Sequence, residues 1–205
     1  METTDRLPEA QRFAMETTGY FKTREDGDDR IIEGYFSVFD SEYKVWDDWT
    51  EIVRHGAFAD TIRKDDIRAL ANHDTTLVLG RNKAGTLELM EDEHGLFGRI
   101  KVNPNDQDAM NLYARVQRGD VTQCSFGFDV LDNDTEVKDG VNYTYLTRVK
   151  LWEVSVCTFP AYTSTAVQAR NAAAYEERRK DAQKRQLEAW KNEQLQRIRK
   201  EQKWL

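Results

Sequence analysis

VNYTYLTRVKLWEVSVCTF, residues 141–159, is rich in β-branched and aromatic residues and reads as one long bent strand or a tight strand pair. Glu153 interrupts its most apolar part, where a carboxylate is costly unless paired. An imidazole N–H would satisfy it and fix the tautomer of that histidine; a nearby Arg or Lys would satisfy it as well. Working back toward the N-terminus, VTQCSFGFDVL (121–131) is a second strand, in which Gly127 either lets the backbone approach a ligand closely or marks a bulge that re-aims side chains. A helix over roughly 105–118 is entered through Asn103-Pro104 and stopped by Gly119. LVLG (77–80), TLELM (86–90) and LFGRIKV (96–102) are short strands joined by turns carrying Asn82, Gly85, Asp92, His94 and Gly95.

Further out, IRALANHD (67–74) is a strand delivering its last residues to a polar end. GAFADTIRK (56–64) has apolar residues at helical spacing, TEIV (50–53) is extended and DSEYKVWDDW (40–49) is a loop. IIEGYFSVF (31–39) is a buried strand, REDGDD (24–29) a turn and Arg12–Phe21 another strand. The fold class expected is mainly β with helices (α+β): a closed or nearly closed antiparallel β-barrel with helices packed outside. The expected domains are a flexible leader over 1–11, a globular domain over 12–163 and a tail over 164–205. In the tail glycine and proline disappear, and Leu187, Trp190, Leu195, Ile198 and Leu205 share one broad face of a long amphipathic helix. That face either docks on a partner or packs back on its own domain.

Composition narrows the function classes. The 205 residues are 33% charged and 39% hydrophobic, with no apolar run of the roughly 18 residues a membrane span needs. METTDRLPEAQRF lacks the basic start and apolar core of a signal peptide, which predicts a chain that stays in a cytoplasm. Ten Lys/Arg against six Asp/Glu from Glu176 to Leu205 leave +4 there, and the remainder carries −11 of the formal −7. An acidic body argues against a nucleic-acid role. The chain has two cysteines, Cys124 and Cys157, three histidines and neither a CxxC nor an HExxH pattern, so no metal or other cofactor is expected.

Acyl transfer to water needs a nucleophile, a base, a group that orients the base, and oxyanion donors. His55 precedes Gly56 at the head of the expected helix and His94 lies in a hairpin turn; both read as surface residues. His73 ends an apolar strand between Asn72 and Asp74, and read alone it is a structural histidine before it is a base. Ser125 alone passes for a packing residue. Cys124 is the neighbouring rival nucleophile, but strand alternation points the two to opposite faces, so only one can meet His73.

Taken together, GYFSVFDSEY (34–43), HGAFADTI (55–62), ALANHD (69–74), GR (80–81), DEHGLFGRIKV (92–102), GDVTQCSFGFDV (119–130) and LWEVSVCTFPAY (151–162) resemble, in order, the prohead maturation proteases of tailed bacteriophages, a family similar to the herpesvirus capsid protease assemblin. The resemblance covers roughly residues 30–170. It implies a serine nucleophile at Ser125, a base at His73 and an acid at Glu153, with backbone N–H groups of Ala161 or Tyr162 as oxyanion donors, Pro160 having none. It also implies cleavage of the scaffolding protein, or of the scaffold segment of the major capsid protein, and of the protease itself, inside the assembling prohead in the host cytoplasm. A homodimer is a further implied partner. The tail face would then bind scaffold or capsid helices. Two other readings stand beside this one: a non-catalytic capsid scaffold or assembly protein, and a cysteine hydrolase using Cys124.

Overall fold

The computed structural model describes residues 13–17, 21–27, 29–159 and 191. The chain divides into two compact units, Met1–Tyr162 and Thr163–Leu205, and all described residues but Lys191 belong to the first. The expected leader, the oxyanion candidates Ala161 and Tyr162, and the expected tail helix apart from Lys191 (which is helical) lie outside the described residues.

Two sheets make up the domain. The first contains β1 (Phe13–Thr17), β4 (Glu42–Trp46), β5 (Trp49–Val53), β6 (Arg68–Ala71), β7 (Asp74–Arg81), β10 (Gln123–Lys138) and β11 (Val141–Cys157). The second runs β2 (Lys22–Asp26), β3 (Asp29–Val38), β9 (Gly95–Val102), β8 (Leu87–Glu91). The stretch 141–159 is thus one strand, β11, rather than a pair. β10 runs antiparallel along nearly its whole length. Its opposite edge is shared: β5 pairs parallel with Asn142–Leu146, and β6 pairs parallel with Glu153–Val156.

This topology corrects the expected barrel. β4 pairs only with β5, β7 only with β6, and β1 only with β10 among the described residues. The sheet therefore ends in edges rather than closing, and two of its pairings are parallel rather than antiparallel. What holds is the coarser expectation, a mainly β protein with few helices.

Local expectations also shift: the expected loop 40–49 contains β4, whose Glu42–Lys44 pair with β5, and most of the expected turn 24–29 is strand, its turn confined to the tip between β2 and β3. Within 56–64 only Thr61–Lys64 (α1) is helical. Gly56 sits at φ +89°, and the apolar side chains of Ala57 and Phe58 are buried from turns, with the Phe58 N–H donated to Glu91 Oε1 at 2.8 Å. The helical spacing there records burial, not a helix. The second helix, α2 (Gln107–Arg118), starts two residues later than expected, because Asp106 rather than Asn103-Pro104 caps it, accepting from the N–H groups of Asp108 and Ala109. It buries Ala109, Leu112, Tyr113 and Val116, one stripe at helical spacing, and ends as expected on Gly119 at φ +85°. No described helix is long and apolar enough to cross a membrane.

The sheets meet through aromatic side chains. Phe36, Phe58, Phe126 and Phe128 are completely buried, with Phe58 edge-on to Phe126 at 5.4 Å and Phe126 to Phe128 at 5.0 Å. Cys124 belongs to this face, its Sγ–H donating to the carbonyl of Tyr35 on β3 at 3.1 Å.

At the rim of the second sheet the Tyr35 hydroxyl donates to Asp92 Oδ2 at 2.6 Å. The Asp92 carboxyl is held below its ordinary 3.8 by that bond, with the N–H groups of Gly95 and His94 adding to it, while Tyr35 is raised above 10.0 by the same bond. Asp92 therefore contributes stability that is present above the unfolded carboxylate pKa and lost as pH falls through the depressed value. Tyr35 contributes stability that is present below pH 10 and lost as pH rises through the raised value. Tyr35→Phe is expected to cost about 1 kcal/mol at pH 7. The difference from the parent should shrink as pH falls from 7 through the depressed Asp92 value, which urea denaturation at pH 7 and over a descending acid series checks; a difference that stays the same at every pH would assign the loss to packing against His94 instead.

Candidate active site

Residues two apart on a strand project from the same face, so Glu153 and Ser155 leave β11 together. In the register of β10, Ser125 stands opposite Ser155 and Gly127 opposite Glu153. Ser125 therefore shares their face, and Cys124 takes the other, toward Tyr35 and Phe36. The parallel strand β6 ends beside Val156, with the Asn72 N–H donating to the Val156 carbonyl at 3.0 Å.

β6 and β7 are joined by a two-residue turn, Asn72-His73, whose flanking residues Ala71 and Asp74 pair with each other. Both turn residues are left-handed, at φ +51° and +61°, the pattern of a type I′ hairpin. Asn and His are among the residues that tolerate this region best, and the hydrogen bonds around the turn offset the remaining strain. The Asn72 Oδ1 accepts from the Thr158 N–H at 2.9 Å, and the His73 N–H donates to Ser155 Oγ at 3.2 Å. The turn thus folds His73 back over the face that carries Ser155 and Glu153.

There the imidazole Nδ1 lies 2.8 Å from Glu153 Oε1. A carboxylate only accepts, so the proton of that bond sits on Nδ1 and the lone pair is on Nε2. Nε2 is buried and makes no hydrogen bond. Glu153 itself is 8% exposed, and its second oxygen accepts from Ser155 Oγ at 2.5 Å. Among the described residues no Arg or Lys bonds to this carboxylate: Arg68, its register neighbour on β6, turns its guanidinium to Asp66 at 3.2 Å.

The structure thus brings His73 and Glu153 into contact and sets Ser125, which is fully buried, on the same face. No hydrogen bond joins His73 Nε2 to Ser125. His55 lies tilted against Phe39 at 4.9 Å and His94 meets Tyr35 edge-on at 4.5 Å, and both are exposed, as expected of them. Cys157 also falls on the face of Glu153 by alternation. Burial, with Glu153 and Cys124 nearby, pushes its thiol up to about 12, so it stays protonated and poorly nucleophilic.

Gly127 and Ser155 were not given these roles by the sequence. Ser155 was within reach: it follows Glu153 by two in a strand, which is the spacing of a shared face. For Gly127 the bulge is realised, and the space of its missing side chain is taken by Glu153 of the same sheet. The register slips between Gly127 and Phe128, with Trp152 as the extra residue on β11, and a Cβ at Gly127 would stand 2.5 Å from Glu153 Oε1. A bulge beside Glu153 re-aims the strand, and the missing side chain makes room for the carboxylate. Gly127→Ala is expected to displace the Glu153 carboxylate, the flexible partner, and not the sheet. Stability should change by only about 1 kcal/mol, whereas cleavage activity should fall about 100-fold. Parallel denaturation and cleavage assays check this; full activity would show that the carboxylate position does not matter.

With this geometry in place, comparison with known proteins is informative. A family model described as caudovirus prohead serine protease matches residues 20–180. The chain belongs to that family. The resemblance read from the ordered segments therefore holds at family level. Among relatives of this prohead protease family member, the prohead protease of Enterobacteria phage HK97 is 33% identical over 148 residues, which cover 70% of this chain and 61% of that protein. The chain thus spans about three fifths of that relative's length. Among solved structures, the bacteriophage T4 capsid assembly protease superposes with a TM-score of 0.50 at 14% identity, over 75% of this chain and all of that one. At that identity the likeness is one of fold.

Proposed function

We propose that the chain is a serine endopeptidase of phage capsid maturation, with Ser125 as nucleophile, His73 as base and Glu153 as the group that orients the base. The observation that carries this reading is the His73–Glu153 pair at 2.8 Å, which leaves Nε2 as the proton acceptor on the face shared with Ser125. Ser125 Oγ attacks the scissile carbonyl as its proton passes to Nε2; the imidazolium then gives that proton to the leaving amine as the C–N bond breaks. Water repeats the sequence on the acyl-enzyme. Catalytic hydrogen bonds are often long before substrate binds, so closure of the Nε2–Oγ bond belongs to the complex. Main-chain N–H groups of Ala161 or Tyr162 are the proposed oxyanion donors. The proposed substrates are a scaffolding protein, or the scaffold segment of the major capsid protein, and the protease itself, inside the assembling prohead.

The cysteine alternative is disfavoured by geometry, since Cys124 faces the core through Tyr35 and Phe36. Treatment with a phosphonofluoridate that phosphonylates activated serines separates the readings. Ser125 should carry the adduct by peptide mapping, and His73→Ala should abolish it. A chain left unmodified, or modified elsewhere, would refute the serine mechanism.

A further inference from the structure

Ser155 is fully buried, and its single hydroxyl has two assignments. The oxygen accepts the His73 main-chain N–H at 3.2 Å, and the proton is donated to Glu153 Oε2 at 2.5 Å. Its own proton is therefore spent on the carboxylate, and it lies against the main chain of His73 rather than against the base nitrogen. That arrangement is unsuited to a nucleophile and well suited to a brace. The braced elements are separate in sequence: Glu153 comes from β11, whereas His73 comes from the tip of the β6–β7 hairpin.

We propose that Ser155 is a positioning residue that locks Glu153 and the His73 turn in one arrangement. The inference rests on the reading of His73, Glu153 and Ser125 as the reacting set. With Ser155 in place, Oε2 is held and Oε1 is left for Nδ1–H alone, so the imidazole has one ring orientation. Without Ser155 the carboxylate can rotate about its last torsion, and the turn loses one of the bonds that offset its left-handed backbone.

The test uses the full chain and two readouts. The first is the rate of phosphonylation of Ser125. Ser155→Ala should slow it about 10- to 100-fold, the loss of one charge-assisted hydrogen bond, and Ser155→Thr, which keeps the hydroxyl, should restore it to within a few fold. Ser155→Cys, of similar volume and a weak donor, carries the same comparison should the alanine variant fail to fold. The second readout is the downfield proton resonance of His73 Nδ1–H, identified by its loss in His73→Ala and followed in a Ser125→Ala background. It should move upfield and exchange faster in Ser155→Ala, and return in Ser155→Thr. An unmoved resonance overturns the proposal, as does an unchanged labelling rate. If the parent chain is not phosphonylated at all, the serine reading fails on its own account, and the resonance alone decides the role of Ser155.

Discussion

Ser125→Ala is expected to abolish cleavage, lowering the rate by about 10⁶-fold while leaving the fold intact. The hydroxyl is the only group of that side chain the reaction uses, and a buried Ser→Ala change on a strand removes one oxygen without changing the backbone. The same substitution separates the competing functions. A scaffold or assembly protein would lose nothing, and a cysteine hydrolase would lose activity with Cys124→Ala instead. Assembly that proceeds normally in the Ser125→Ala chain, with scaffold left uncleaved, is the outcome expected; normal cleavage would end the serine mechanism. Because residues of one catalytic set act together, His73→Ala should cost about as much, and the double variant little more.

Glu153→Gln is the second large effect, about 10³- to 10⁴-fold in rate. The carboxylate faces two donors at once, Nδ1–H at 2.8 Å and the Ser155 hydroxyl at 2.5 Å. An amide has one oxygen and one NH₂, so it can accept from only one of them and must oppose the other with a donor. Either His73 takes the wrong tautomer or Ser155 must turn away, and in both cases no charge remains to stabilise the imidazolium. Stability should suffer far less than activity, since the amide keeps the size of the carboxylate and the group lies on the face opposite the aromatic core. Single-turnover cleavage compared with urea unfolding checks the pair of effects. Activity within a few fold of the parent would reduce Glu153 to a structural carboxylate.

How far the sequence carries can be judged at particular residues. Apolar and β-branched runs placed most strands, and Gly119 placed the end of α2, because these signals are local. Glu153 stood out because an isolated carboxylate in an apolar strand must have a partner. Which partner it had could not be read, since Arg68 and His73 are both distant in the chain and the choice is made by the Asn72-His73 turn and by Asp66 capturing Arg68. The barrel expectation failed for a related reason. Alternation shows that a strand has two faces but not which strand lies on each edge, and here β5 and β6 divide one edge of β11 between them. The run at 56–64 misled because burying Ala57, Phe58 and Thr61 from turns leaves the same spacing as a helix. Ser155 shares a face with Glu153 by its spacing of two, which the sequence does show, but its bonds to Glu153 and to the His73 turn depend on a hairpin that the sequence does not place.

The two cysteines of the chain, Cys124 and Cys157, are both free and both buried, one on the face packed against β3 and one on the face that carries Glu153. A thiol reagent can therefore reach each of them only when the structure covering its own face opens, so its reaction rate is a clock for that opening and not a measure of surface chemistry. Because the two sit on opposite faces of neighbouring strands, modification of Cys157 ahead of Cys124 would signal that the face of Glu153 loosens first. Simultaneous modification would mean that the domain opens as a single cooperative unit.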